Sequence, residues 1–339
     1  ASKLRVVPAP GGKGALITGN AAAQFVRLDN DFFASLAHGL PRITTSLRQS
    51  TDGVLHLDNL LLTAPDIRIT GNGYLRRDGS VHFEGSGTQR QYGPLTLKLD
   101  GRLERPTVDL KFAHPNEALG LREVTAHLDP TAEGFAFTAS GGSTLGAFTG
   151  RGAILLPKGG TATIAIAALD VADMHASGSL RAVTGGFDGW LDVSGAARGT
   201  LAFAPVGKMQ RVEAHLEAAN AQVTDTVRLR RGKLDLVALL DPDGVSIEAK
   251  ADGAGLRQGS LVLGRFNVAA SLRGGTGTIN AQLSGTRGRA FDIRLAVDAT
   301  PDRYSMTASG TIDRRPITLA TPAVVGRIGD GWQLAPTRV

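Results

Sequence analysis

The stretch Leu95-Thr96-Leu97-Lys98-Leu99-Asp100-Gly101-Arg102-Leu103-Glu104-Arg105-Pro106-Thr107-Val108-Asp109-Leu110-Lys111-Phe112 decides the fold class. Leu95, Leu97 and Leu99 alternate with Thr96 and Lys98, and Val108, Leu110 and Phe112 alternate with Asp109 and Lys111. Period-two alternation places the apolar side chains of an extended strand on one side and the polar ones on the other. Asp100-Gly101 between the two runs reads as a hairpin turn. So short a connection cannot hold a crossover helix, which makes the two strands antiparallel neighbours.

The pattern recurs along most of the chain. Val124, Ala126 and Leu128 alternate with Thr125 and His127. Val245, Ile247 and Ala249 alternate with Ser246, Glu248 and Lys250, and Phe291, Ile293, Leu295 and Val297 with Asp292, Arg294 and Ala296. Asp52-Gly53, Asp78-Gly79, Asp243-Gly244 and Asp252-Gly253 read as further hairpin turns. A weak repeat runs Gly73-Tyr74-Leu75, Gly101-Arg102-Leu103 and Gly310-Thr311-Ile312, with looser copies at Gly152, Gly178 and Gly199. It reads as a strand entered through a Gly and left through a Pro turn, as at Pro106 and Pro316. Helix signals are few: Asn30 as cap, Phe32, Phe33 and Leu36 on one side, Gly39 and Pro41 at the end predict a short helix over 31–38, with one more turn at 116–119.

Composition narrows the function classes. The chain has 339 residues, 42% hydrophobic, with 44 Gly and no Cys, so thiolate metal sites, disulfide scaffolds and cysteine nucleophiles are excluded. Net charge is +6. The densest basic groups, Arg228, Arg230, Arg231 and Lys233, then Arg76-Arg77 and Arg314-Arg315, read as solvated turns. Aromatics interleaved with arginine are missing, so nucleic acid is not expected as a partner. Gly141-Gly142-Ser143-Thr144-Leu145 fails the nucleophile elbow at its last position. The Gly-x-Gly pairs at Gly71, Gly85, Gly150, Gly253 and Gly275 lack the third Gly of a dinucleotide loop. The seven His show no metal-ligand spacing, with His56, His82, His127 and His215 at polar strand positions. Asp241-Pro242-Asp243-Gly244 lacks the further ligands of a calcium loop. No enzyme, cofactor or metal site is expected.

So many one-sided strands cannot stay flat in water, because the dry side would exceed the few hundred Å² a monomer usually exposes. Two Trp and three Tyr are too few for the girdles of a membrane barrel. Small lining residues, as in Thr161-Ala162-Thr163-Ile164-Ala165-Ile166-Ala167, suit a groove better than a packed sandwich. The expected fold is therefore all-β, a long antiparallel meander curled lengthwise into an elongated trough with an apolar inner face, and residues 1–339 form a single repetitive domain. Candidate lining residues are Val108, Leu110, Phe112, Phe135, Phe137, Ile164, Ile166, Leu191, Val193, Leu234, Leu236, Val245, Ile247, Phe266, Val268, Ile293 and Leu295, with a filled core as an equal rival.

The Gly-x-Leu strands, the segment 93–106 and Val212-Glu213-Ala214-His215-Leu216-Glu217-Ala218-Ala219-Asn220-Ala221 resemble the TamB proteins of the translocation and assembly module, within the AsmA-like group. The resemblance covers most of the chain and rests on repeat style. It implies a β-taco-like sheet in the periplasm of a Gram-negative cell, anchored to the inner membrane through a segment outside this chain. It also implies phospholipid acyl chains as cargo in lipid transport between inner and outer membranes, and a TamA-type barrel partner in outer-membrane protein assembly. The chain would then be an internal section of a longer protein. The rivals are a structural or adhesive β-solenoid with a closed interior, and a scaffold whose strand edge pairs with client strands.

Overall fold

The computed structural model describes residues 2–8, 15–24, 39–50, 52–90, 92–115, 120–157, 159–184, 186–207, 209–224, 226–241, 244–328 and 331–335. These hold twenty-five strands and no helix. The helix expected over 31–38 and the turn at 116–119 lie outside the described residues. The chain divides into two units, Ala1–Leu169 with Arg181–Thr184, and Asp170–Leu180 with Gly185–Val339.

In the first unit the strands are β1 (Ser2–Pro8), β2 (Ala15–Gln24), β3 (Arg42–Gln49), β4 (Leu55–Ala64), β5 (Ile67–Leu75), β6 (Ser80–Gln89), β7 (Gly93–Arg102), β8 (Arg105–Phe112), β9 (Arg122–Pro130), β10 (Gly134–Ser143) and β11 (Gly146–Leu155). Strands β12 (Thr163–Val171) and β13 (Met174–Val183) have residues in both units. From β1 to β11 each strand pairs antiparallel with the next, the meander that the short connections require. Directly opposed residues share a side of the sheet, so the register sorts the side chains. One line runs Leu57, Gly73, Phe83, Leu99, Val108, Leu128, Phe137, Gly152, and another runs Leu62, Ile69, Gly87, Leu95, Phe112, Val124. Ile69, Phe83 and Leu95 are the buried centre of this unit. The glycines in these lines leave room for large neighbours; at Gly152 an added β-carbon would stand 2.9 Å from Phe137 Cε1.

The second unit continues with β14 (Gly186–Gly195), β15 (Ala197–Val206), β16 (Met209–Thr224), β17 (Val227–Asp241), β18 (Gly244–Gln258), β19 (Leu261–Arg273), β20 (Thr276–Arg287), β21 (Arg289–Thr300), β22 (Arg303–Ile312), β23 (Arg315–Thr318), β24 (Ala323–Ile328) and β25 (Gly331–Leu334). It too is an antiparallel meander, except that β22 pairs on one edge with both short strands β23 and β24. Its apolar lines are long. One reads Leu191, Leu201, Ala214, Leu236, Ala249, Ala270, Ile279, Val297, Met306, Ala323; the next reads Val193, Gly199, Leu216, Leu234, Ala251, Val268, Ala281, Leu295, Ala308.

A crease crosses β16 to β19. Along each strand the apolar spacing slips from two residues to three: Ala218 to Ala221, Leu229 to Gly232, Gly253 to Leu256, Leu263 to Phe266. Asn220 (φ 52°) and Gly255 (φ 75°) adopt left-handed backbone at the slip, and the β19–β20 register shifts between Leu263 and Arg265. Because β16, β17, β18 and β19 take the extra residue at the same level, pairing resumes in the same register beyond it. The phase slip thus forms one line across four strands, where the alternation of sides changes over at Asn220 and Gly255. In the first unit Asn59 (φ 51°) marks a similar slip between Leu57 and Leu60, its N–H donating to Asn72 Oδ1 at 2.9 Å.

Several local expectations need correction. Asp52-Gly53 and Asp78-Gly79 are turns, whereas Asp100-Gly101 and Asp252-Gly253 lie inside β7 and β18. Gly253 serves packing: it faces Phe266, and an added β-carbon would stand 2.6 Å from both Phe266 Cζ and the Arg231 carbonyl oxygen. The Gly-x-Leu repeat marks strand exits. Gly73, Gly101 and Gly310 fall near the ends of β5, β7 and β22, and Pro106 and Pro316 each stand second in the following strand. Arg228, Arg230, Arg231 and Lys233 belong to β17, not to a turn.

Candidate functional site

The seventeen candidate lining residues all lie on strands. In the first unit Val108, Leu110 and Phe112 on β8 oppose Leu99, Leu97 and Leu95, and Phe135 and Phe137 on β10 oppose Ile154 and Gly152. Ile164 and Ile166 lie on β12. In the second unit Leu191 and Leu236 share one line and Val193, Leu234, Val268 and Leu295 the next. Val245 faces Leu240, Ile247 faces Ala238 and Leu272, and Phe266 and Ile293 both face Leu283.

Their exposure is intermediate. Leu191 is 3% exposed, while the other sixteen are half-buried. Among the described residues no large side chain is fully buried, and more than half of the buried apolar residues are alanines. Alanine compares the two sides directly, because its own reach is constant. On β21 Ala296, on the polar side, is exposed and Ala299, on the apolar side, is 3% exposed. The same contrast separates exposed Ala202 from Ala214, at 5%.

The other side of the sheet is a charged ladder. Glu84 faces Lys98, which faces Asp109, which faces His127; Glu217 faces Lys233, which faces Asp252. Three of the four histidines at polar positions pair with carboxylates on facing strands: His82 Nδ1 lies 2.5 Å from Asp100 Oδ1, His127 Nδ1 2.6 Å from Asp109 Oδ1, and His215 Nδ1 2.8 Å from Asp235 Oδ1, whereas His56 Nε2 lies 3.0 Å from Ser50 Oγ. The hydrogen bond to Asp109 raises the His127 pKa above its ordinary value, aided by the charges of Asp129 and Asp109. Hydrogen bonds from His82 and His215 lower the pKa of Asp100 and Asp235, with Lys98 and Lys233 adding to the effect. Such exposed pairs fix strand register more than they stabilise the fold. Sequence reading placed these His at polar positions; the facing carboxylates needed the register.

Among the described residues no group of His, Asp and Glu is arranged to hold a metal ion, and no helix is long and apolar enough to cross a membrane. Comparison with known proteins finds no matching family model, no matching curated protein and no matching solved structure.

Proposed function

We propose that the chain is a lipid-conducting segment of a TamB-like, AsmA-like bridge, carrying phospholipid acyl chains along its apolar side through the periplasm between inner and outer membranes. It acts without catalysis or cofactor. In this reading the sheet curls lengthwise into a trough with the apolar lines inside. The longer protein supplies the inner-membrane anchor and reaches a TamA-type barrel partner, which links it to outer-membrane protein assembly.

One observation carries the reading: lines of aliphatic residues, interrupted only by Gly199, cross nine or more consecutive strands in register, and apart from buried Leu191, Ala214 and Ala323 their side chains stay half-buried. A side that apolar yet not filled has a standing gain from a further apolar partner, about 0.8 kcal/mol for each methylene it covers. Acyl chains supply methylenes in series and leave head groups in water, so a chain can slide without crossing a polar barrier. Away from the crease, the occluded Ala214 and Ala299 against the open Ala202 and Ala296 support the apolar side as the inside; at the crease Ala254, opposite Arg231 on the charged side, is occluded as well. The crease across β16 to β19 supplies a line along which a sheet can fold. A solenoid with a closed interior fits less well, since packed interiors bury large side chains completely.

The test is lipid content. The 339-residue chain, secreted to the periplasm of a Gram-negative host and purified, is expected to carry phospholipid detectable by mass spectrometry of its organic extract. Leu234→Asp with Leu236→Asp should abolish it, while Lys233→Asp with Asp235→Lys on the other side should not. A folded, lipid-free chain, or equal loss in both variants, contradicts the reading.

A further inference from the structure

Three arginines border the crease of the second unit with no carboxylate facing them. Arg228 on β17 lies directly opposite Arg257 on β18, and Arg230 stands two residues along β17 from Arg228, hence on the same side of the strand. All three are exposed. Arg228 Nε donates to Gln222 Oε1 at 2.8 Å, and the guanidinium groups of Arg230 and Arg257 have no hydrogen-bond or ion-pair partner among the described residues. Opposed like charges weaken a strand pair. Elsewhere on the polar side facing charges are complementary, as in Glu217, Lys233 and Asp252, and the facing pairs Arg102 with Arg105 and Arg287 with Arg289 flank tight turns.

The same arginines line a concavity of about 830 Å³, with Asn220, Gln222 and Gly255 among its other walls. Left-handed Gly255 matters here: a β-carbon at that position would stand 2.7 Å from Arg230 Cβ, so only Gly lets the arginine stem lie across the crease. Asp173 is the one acid among the described lining residues, and Arg228, Arg230 and Arg257 leave the lining with an excess of positive charge.

We propose that this concavity binds a phosphate group. A guanidinium presents forked N–H donors that match two phosphate oxygens at once, and three of them around one hollow can engage a group that offers several oxygens and up to two negative charges. A bound phosphate also cancels the repulsion between Arg228 and Arg257. Leu256 and Leu263, outside the lining, continue the apolar line through Leu229, which itself borders the concavity; the arginines that define the site are not part of that line, so the site goes beyond the acyl-chain reading and stands without it. The group can belong to a free phosphate or to a lipid head.

The experiment titrates the full chain with inorganic phosphate by calorimetry, and separately with vesicles of phosphatidylcholine with and without phosphatidylglycerol. The variants are R228Q/R230Q/R257Q, the single R257Q, and a charge-matched control, R287Q/R294Q/R303Q. Saturable binding of inorganic phosphate, weakened at least tenfold in the crease triple, several-fold in R257Q and less than twofold in the control, establishes a site open to free phosphate. The same pattern only with phosphatidylglycerol vesicles establishes a head-group site. Equal weakening in crease and control triples, or no saturable binding in either arm, overturns the proposal. Lipid carried on the apolar side should be unchanged in every variant, which separates failure of this site from failure of the transport reading.

Discussion

Gly253 on β18 and Phe266 on β19 stand directly opposite each other, and the space that a side chain at 253 would fill is occupied by the Phe266 ring and the Arg231 carbonyl. An aromatic thus lies across a backbone stripped of its side chain, the cross-strand counterpart of small-against-large packing in a core. Gly253→Ala should lower stability by about 1–3 kcal/mol through this overpacking. A drop in the urea midpoint with unchanged slope would bear it out, and an unshifted midpoint would refute it.

Asn220 holds left-handed backbone at the crease, a conformation that costs most residues roughly 1–2 kcal/mol and Gly almost nothing. Asn220→Val should therefore destabilise by about that amount, and more if the crease must shift, whereas Asn220→Gly should be near neutral. Thermal unfolding of the two variants gives the comparison. Equal effects would mean that the side chain at 220, not its backbone, matters.

Truncation distinguishes an open apolar side from a filled one. Leu191, at 3% exposure, should lose about 2–4 kcal/mol on replacement by Ala. Ile247 and Leu295, both half-buried, leave no closed cavity behind and should each lose roughly 1–1.5 kcal/mol, less than the cavity-forming range. Chemical denaturation of the three variants measures this, and losses at Ile247 and Leu295 as large as at Leu191 would indicate a closed core.

The facing pairs predict a pH profile. His127 binds its proton more tightly when folded, so its contribution is fully present below the ordinary histidine pKa and is lost as pH rises through the raised folded value. Asp100 and Asp235 have lowered pKa values when folded, so their contributions are present above the ordinary carboxylate pKa and are lost as pH falls through the depressed values. Stability should peak in mildly acidic solution between these windows. His127→Gln should remove part of the decline on the alkaline side and leave the acidic limb unchanged; urea midpoints between about pH 3 and pH 9 decide it.

The sequence made the strands legible because each alternates within itself: Leu95 to Leu99 and Phe291 to Val297 announce their sides without any neighbour. It misplaced Asp252-Gly253 as a turn because a Gly required for packing and a Gly required for a turn look alike until the opposite strand is known. The crease was hidden for the same reason. A three-residue step between Gly253 and Leu256 is a local blemish in one strand, and only its coincidence with the steps at Ala218, Leu229 and Leu263 makes it a structural line. The seventeen candidate lining residues were readable as apolar strand positions, but their alignment into lines depends on register. The basic concavity was missed because Arg228 and Arg257 are far apart in the chain and meet only through the pairing of β17 with β18.

The central claim is that acyl chains run along the apolar side, and photo-crosslinking in living cells tests it most directly. A photoreactive residue placed in turn at Leu110, Ile247 and Ile293 should capture phospholipid at all three positions, and the same residue at Lys111 and Glu248 on the other side should capture none. Lipid captured at Lys111 and Glu248 but not at Leu110, Ile247 and Ile293 would contradict the account.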